Sequence, residues 1–207
     1  MAEEWDGAVL APVSEINEQM LQYLRELALR APLDGSADGV PRLIAALREQ
    51  WCALETDAQQ RLAACPCLLL DAGFAQPQRW DRIGSCGVMD VEDRSAYFKD
   101  AVGVAVVRRT LVLAWHLARA NRVTARVLLG MSTAAAERIA ACRLADLEAL
   151  AQRAPAWITP RWEQQPLVWR QLIEAASRRQ TLLLRQAQLR GLQLLARAAG
   201  QRGGTHG

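Results

Sequence analysis

The chain has 207 residues, 51% of them hydrophobic and 23% charged, which is the composition of a soluble globular protein with one generous core or two small ones. Its opening residues, MAEEWDGAV, are acidic where a secretory signal would be basic and apolar. The longest apolar run, Val102 to Leu117, is interrupted by Arg108 and Arg109, so composition predicts a cytoplasmic protein with no membrane span.

The formal net charge of +3 hides a split along the chain. Residues 1–100 carry nine basic and seventeen acidic side chains, and residues 101–207 carry sixteen and five. The chain is expected to divide there, into an acidic helical region of unknown role and a basic helical region. A basic half is expected where part of a protein meets nucleic acid, and equally where it offers a basic surface to a protein partner. Only Lys99 is a lysine, so residue usage explains the choice of Arg over Lys. It does not explain why acids thin out in the second half.

Taken in chain order, the elements are nearly all helical. Ser14 can cap a first helix, with Ile16, Met20, Leu24 and Leu27 at helical spacing. Pro32 and the run Asp34 to Gly39 form a loop. Pro41 then fits the first turn of a second helix that places Leu43, Ile44, Leu47, Trp51 and Leu54 on one face. Asp57 opens a short third helix that ends at Cys65-Pro66, because Pro66 cannot continue it. Cys67 to Asp71 is ambiguous between helix and strand. Asp71 to Asp90 is irregular, broken by Gly73, Pro77, Gly84 and Gly87, and a long apolar-rich run follows through Arg119 with Gly103 as its weak point.

Leu111 to Leu150 reads as three helices around a tight corner at Gly130. Glycine suits the left-handed backbone of such a turn, and Ser132 or Thr133 can cap the helix that follows. Ala125, Leu129, Met131, Ala136 and Ile139 fall where the pair packs on itself. Thr133, Ala134, Glu137 and Arg138 then point outward, where a recognition helix would face the major groove, and Arg122, Arg126 and Arg138 flank the turn. Of the groups on that helix, only Glu137 and Arg138 suit bidentate base contacts.

Gln164 to Ala199 reads as one long helix. Leu182, Leu183, Leu189, Leu192 and Leu195 form an apolar side, and Gly191 weakens its middle. Arg178, Arg179, Arg185 and Arg190 on this helix are candidate non-specific phosphate anchors. Leucine-rich helices that one small domain cannot cover predict a homodimer.

Catalytic and metal chemistry find little support, so neither an enzyme nor a cofactor is expected. His116, beside Trp115, reads as a core or interface histidine, and His206 lies in the tail. The acidic groups Glu3/Glu4 and Asp90/Glu92/Asp93 read as terminal or helix-start charges. The seven tryptophans read as core and interface residues rather than a ligand cage. The five cysteines are Cys52, Cys65, Cys67, Cys86 and Cys142. An odd number without an export signal argues against a disulfide framework, and Cys65-Pro66-Cys67 lacks the second close pair of a zinc site, which favours buried structural thiols.

The residues from 107 to 173 also carry a resemblance. Leu113, Ala114, Arg122, Thr124, Ala125, Leu129, Gly130 and Met131, continuing through Ala140, Ala141, Leu144, Leu147, Leu150 and Ala151, resemble the core of FlhD. FlhD is the subunit of a bacterial flagellar master transcription activator. An echo follows in Pro166, Leu167, Val168, Trp169 and Leu172. The resemblance covers about a third of the chain and implies an all-α regulator that dimerises and works on DNA with an FlhC-like partner subunit. The chain departs from the family in its longer N-terminal region. It also lacks a cysteine near Trp157 to Trp162, where FlhD proteins often carry one that links subunits. Because Cys142 lies earlier, a covalent dimer does not carry over. The expectation is an all-α, multi-helical fold with a helix-turn-helix-like second half and a long C-terminal helix. The alternative function is a helical adaptor that binds only protein.

Overall fold

The structure, a computed structural model, describes residues 7–32, 39–81, 83 and 97–200. Most of the loop read at Asp34 to Gly39, most of the irregular stretch after Asp81, the acidic groups at Glu3/Glu4 and Asp90 to Asp93, Trp5, Cys86 and His206 lie outside these residues. The fold is all-α. The described residues form eleven α-helices, one short 3-10 turn and a single pair of two-residue strands.

The first helix, α1 (Gly7–Arg30), starts well before the expected cap, so Ser14 lies inside it. The apolar spacing continues backward from Ile16 through Val13 to Leu10, and burying that extra turn outweighs a local cap. The expected second helix is two, α2 (Arg42–Ala46) and α3 (Arg48–Cys52). The break falls at Leu47, whose φ of −131° is not helical. Leu43, Ile44, Leu47, Trp51 and Leu54 are nevertheless all buried, so the apolar face survives the break. Next comes α4 (Thr56–Ala63), which ends before Pro66 as expected. The ambiguous CLLLD segment resolves into β1 (Leu70–Asp71), which pairs antiparallel with β2 (Thr159–Pro160) in the register Leu70 to Pro160. A single helical turn, α5 (Pro77–Trp80), follows it.

The second half opens with α6 (Ala101–Ala120), capped by Asp100, whose carboxylate accepts from the Gly103 N–H at 2.8 Å. Among the described residues it is the one helix long and apolar enough to cross a membrane. In this fold its apolar side, Val106, Val107, Leu111, Ala114 and Ala118, packs instead against α1 and against α8 (Thr133–Ala141) and α9 (Leu144–Arg153). Between α6 and α8 runs α7 (Arg122–Leu129).

The long C-terminal helix is also two. The segments α10 (Pro166–Ser177) and α11 (Thr181–Gly200) pack against each other. The chain turns at Arg178–Gln180, where Arg179 takes a left-handed φ of 54° and Gln180 N–H donates back to Ala175 C=O. Folding back lets Leu184, Ala187 and Leu195 bury against the body, which a straight helix could not do. The predicted apolar side holds only in part: Leu195 is buried and Leu192 packs on the core, whereas Leu182, Leu183 and Leu189 are exposed. Gly191 is a fitted position rather than a weak one: a Cβ there would stand 2.7 Å from the Trp162 ring.

One buried cluster draws on both halves of the chain. Trp51 of α3 meets Trp169 of α10 with ring centroids 5.3 Å apart, and Arg61 of α4 donates to Ala176 C=O at 2.9 Å. At its centre, Asn17 is fully buried and fully used. Its amide donates to the carbonyls of Ala63 and Cys67, and its oxygen accepts from Leu69 N–H at 2.8 Å.

Candidate functional site

The α7–Gly130–α8 unit is assembled by its own sequence and then stitched into the rest of the protein. Asn121 starts α7, its side chain accepting from Thr124 N–H at 3.0 Å. Gly130 ends it with a φ of 62°, in the left-handed region that favours glycine. Ser132, rather than Thr133, caps α8 by accepting from Ala135 N–H at 3.2 Å. Ala125, Leu129, Met131, Ala136 and Ile139 are all buried, as the spacing requires.

The carbonyls at the C-terminus of α7 would be left without intrahelical partners. Leu128 C=O accepts from Leu68 N–H at 2.9 Å, and Leu129 C=O accepts from the guanidinium of Arg161. Arg161 is only 5% exposed. It also donates through Nε to Leu68 C=O, and it lies 3.8 Å from the Asp71 carboxylate. A cation at a helix C-terminus is favoured by the helix dipole. Beyond the turn, Ser132 N–H donates to Phe74 C=O at 3.1 Å. Residues 68 to 74 therefore clamp the helix corner on both sides of Gly130.

The expected outward residues divide into exposed and packed. On α7, Arg122 and Arg126 are exposed, with Val123 and Val127 beside them. Thr133, Ala134 and Glu137 are exposed on α8. Arg122 reaches Glu137 at 3.5 Å, an exposed pair that contributes little to stability. Arg138 departs from the outward expectation: it is half-buried and forms an ion pair with Asp81, next to α5, which packs on this helix. The short α5 thus takes one of the two side chains on α8 suited to reading a base.

The candidate anchors of the C-terminal hairpin lie elsewhere. Arg178 and Arg179 occupy the α10–α11 turn, and Arg179 faces Asp57 of α4 at 3.4 Å. Arg185 and Arg190 are exposed on α11, with Arg190 3.5 Å from the Gln171 side-chain oxygen. His116 is exposed rather than buried, standing edge-on to Trp115 at 5.0 Å. The tryptophans divide too: Trp51, Trp80, Trp157 and Trp169 are buried, and Trp115 and Trp162 are half-buried.

Cys65 and Cys67 are buried with their sulfurs 3.5 Å apart. Among the described residues, no group of three or more His, Cys, Asp or Glu side chains is placed to hold a metal ion. Arg161 and Asn17, which hold this region together, do not stand out in the sequence. The one signal there is a lone arginine between Pro160 and Trp162 in an otherwise apolar stretch. The chain matches no protein-family model, no curated protein and no solved structure.

Proposed function

We propose that the chain is a non-enzymatic, cytoplasmic, FlhD-like regulator that meets DNA through its phosphate backbone and acts as a dimer, with base reading supplied by an FlhC-like partner subunit. The observation that carries this reading is the outer face of the helix corner. Arg122 and Arg126 stand there one turn apart on a helix whose end is rigidly held, in a half of the chain rich in arginine and poor in acids. Phosphate contacts position a protein without reading sequence. The alanines of α8 and the engagement of Arg138 with Asp81 fit a subunit of that kind.

A DNA-binding assay titrated with salt tests it. Replacing both Arg122 and Arg126 with Gln weakens binding to all sequences alike. Each arginine–phosphate interaction removed flattens the slope of log affinity against log salt by about one unit. The second reading, a protein-only adaptor, is favoured by the fact that both Arg122 and Arg138 already have carboxylate partners. A purified chain that shifts no DNA at low salt, alone or with a candidate partner subunit, leaves the adaptor standing.

The dimer has its own expected result. Leu182 and Leu189 on α11 are 74% and 58% exposed, and Leu167 on α10 is 67% exposed, an apolar surface that a second copy would cover. Sedimentation gives a dimer at tens of micromolar protein, and Leu182→Glu with Leu189→Glu shifts it to monomer. A monomeric wild-type chain at that concentration rules the dimer out.

A further inference from the structure

We propose that Cys65 and Cys67 are a redox modification site, a dithiol that a small hydroperoxide converts reversibly to an intramolecular disulfide, loosening the clamp on the α7–Gly130–α8 corner. The inference does not depend on what that corner binds.

The two sulfurs are neighbours already, 3.5 Å apart, flanking a proline whose fixed φ holds them there. The two sulfurs share a hydrogen bond, and with Cys65 as its donor the Cys65 thiol is pushed up and the Cys67 thiol down; burial opposes the Cys67 thiolate, and the Arg161 cation favours it. Such an environment makes one thiol the nucleophile and the other the resolving group.

The chemistry balances with the hydroperoxide as the only oxidant. The Cys67 thiolate attacks the outer peroxide oxygen and breaks the O–O bond. This leaves a sulfenic acid on Cys67, and the departing oxygen takes the Cys65 proton. The Cys65 thiolate then attacks the Cys67 sulfur, forms the S–S bond and releases hydroxide, which leaves as water with a solvent proton. Two thiols lose two electrons, and hydrogen peroxide becomes two waters. Cys65 is 3% exposed and Cys67 is fully buried, which admits a small oxidant during local opening and excludes a bulky disulfide such as oxidised glutathione.

The site sits where a small movement is felt. Bonding brings the sulfurs from 3.5 Å to about 2.05 Å. The cysteine side-chain torsions take up part of the change, and because Pro66 φ is fixed the rest falls on the backbone either side of it, Cys67 and Leu68 included. Cys67 C=O accepts from Asn17, Leu68 N–H holds Leu128 C=O, and Leu68 C=O holds Arg161.

The test uses the full chain, hydrogen peroxide, alkylation under denaturing conditions, and mass spectrometry after cleavage at arginine. Peptide 62–79 contains Cys65 and Cys67 as its only cysteines. After peroxide it is expected two hydrogens lighter and unalkylated, restored by dithiothreitol, and unaffected by oxidised glutathione. Cys65→Ser should stop at a sulfenic acid on Cys67 that dimedone traps; the wild-type readout stands alone if that variant does not fold. Amide exchange across residues 125–132 should accelerate several-fold in the oxidised protein. The proposal is overturned if peptide 62–79 stays doubly alkylated at peroxide levels that oxidise the half-buried Cys52 and Cys142. Unchanged exchange in the oxidised protein overturns the link to the helix corner.

Discussion

Replacing Arg161 with methionine is expected to destabilise the protein by about 2–6 kcal/mol, because two buried carbonyls lose a charged donor at about 1–3 kcal/mol each. Methionine keeps much of the volume and removes the donors. The carbonyls of Leu68 and Leu129 then lose their guanidinium partner inside the protein, and Asp71 loses the nearest cation. A buried acceptor left without its partner costs the desolvation that the native bond offset. Arg161→Lys should recover only a small part of the loss, because one ammonium on a flexible stem cannot span two carbonyls as the planar guanidinium does. Urea unfolding followed by tryptophan fluorescence measures both variants. A loss below about 1 kcal/mol for Arg161→Met would mean that the clamp on the helix corner is held mainly by its backbone bonds.

Gly103→Ala is expected to destabilise by about 1–3 kcal/mol, the opposite sign to the gain of about 1 kcal/mol that helix propensity alone predicts for an interior glycine. A Cβ at this position would lie 2.7 Å from Phe98 Cα and 2.8 Å from the Tyr23 hydroxyl oxygen. The first neighbour is backbone and cannot rotate away. The second is fixed by its own bond, since Tyr23 donates to Tyr97 C=O at 2.8 Å, and burial with the nearby Asp100 carboxylate pushes that hydroxyl up to about 12. Gly103→Val should be worse. The measurement is again the urea midpoint, and a more stable alanine variant would show that α1 and α6 can separate without cost.

These two positions also mark where sequence reasoning stops. Gly103 reads as a weak point because propensity concerns a helix by itself. What makes a glycine necessary there is how α6 meets its surroundings: Phe98 Cα, folded back just before the helix, and Tyr23 of α1, distant in the chain, both crowd the position. The long C-terminal helix fails for a related reason. Leucines at 182, 183, 189, 192 and 195 satisfy helical spacing from Gln164 onward, yet no local signal shows that a turn at Arg179 buries more surface than continuing straight. Arg138 reads as an outward residue because the period of α8 places it near the edge of the exposed face. Only the packing of α5 brings Asp81 beside it.

What the sequence determined by itself is local. It includes the all-α class, the apolar faces of α1 to α3, the left-handed corner at Gly130 and a hydroxyl cap at Ser132 or Thr133, because short-range sterics and hydrogen bonds within a few residues specify each of them. It also set the charge split between the halves. The tertiary structure alone decided how that corner is held. Residues 68 to 74, Asn17 and Arg161 meet there from three distant segments, and Cys65 and Cys67 are buried beside them. The reason is physical: the carbonyls at the end of a buried helix must find partners, and which distant donors reach them depends on how the whole core packs.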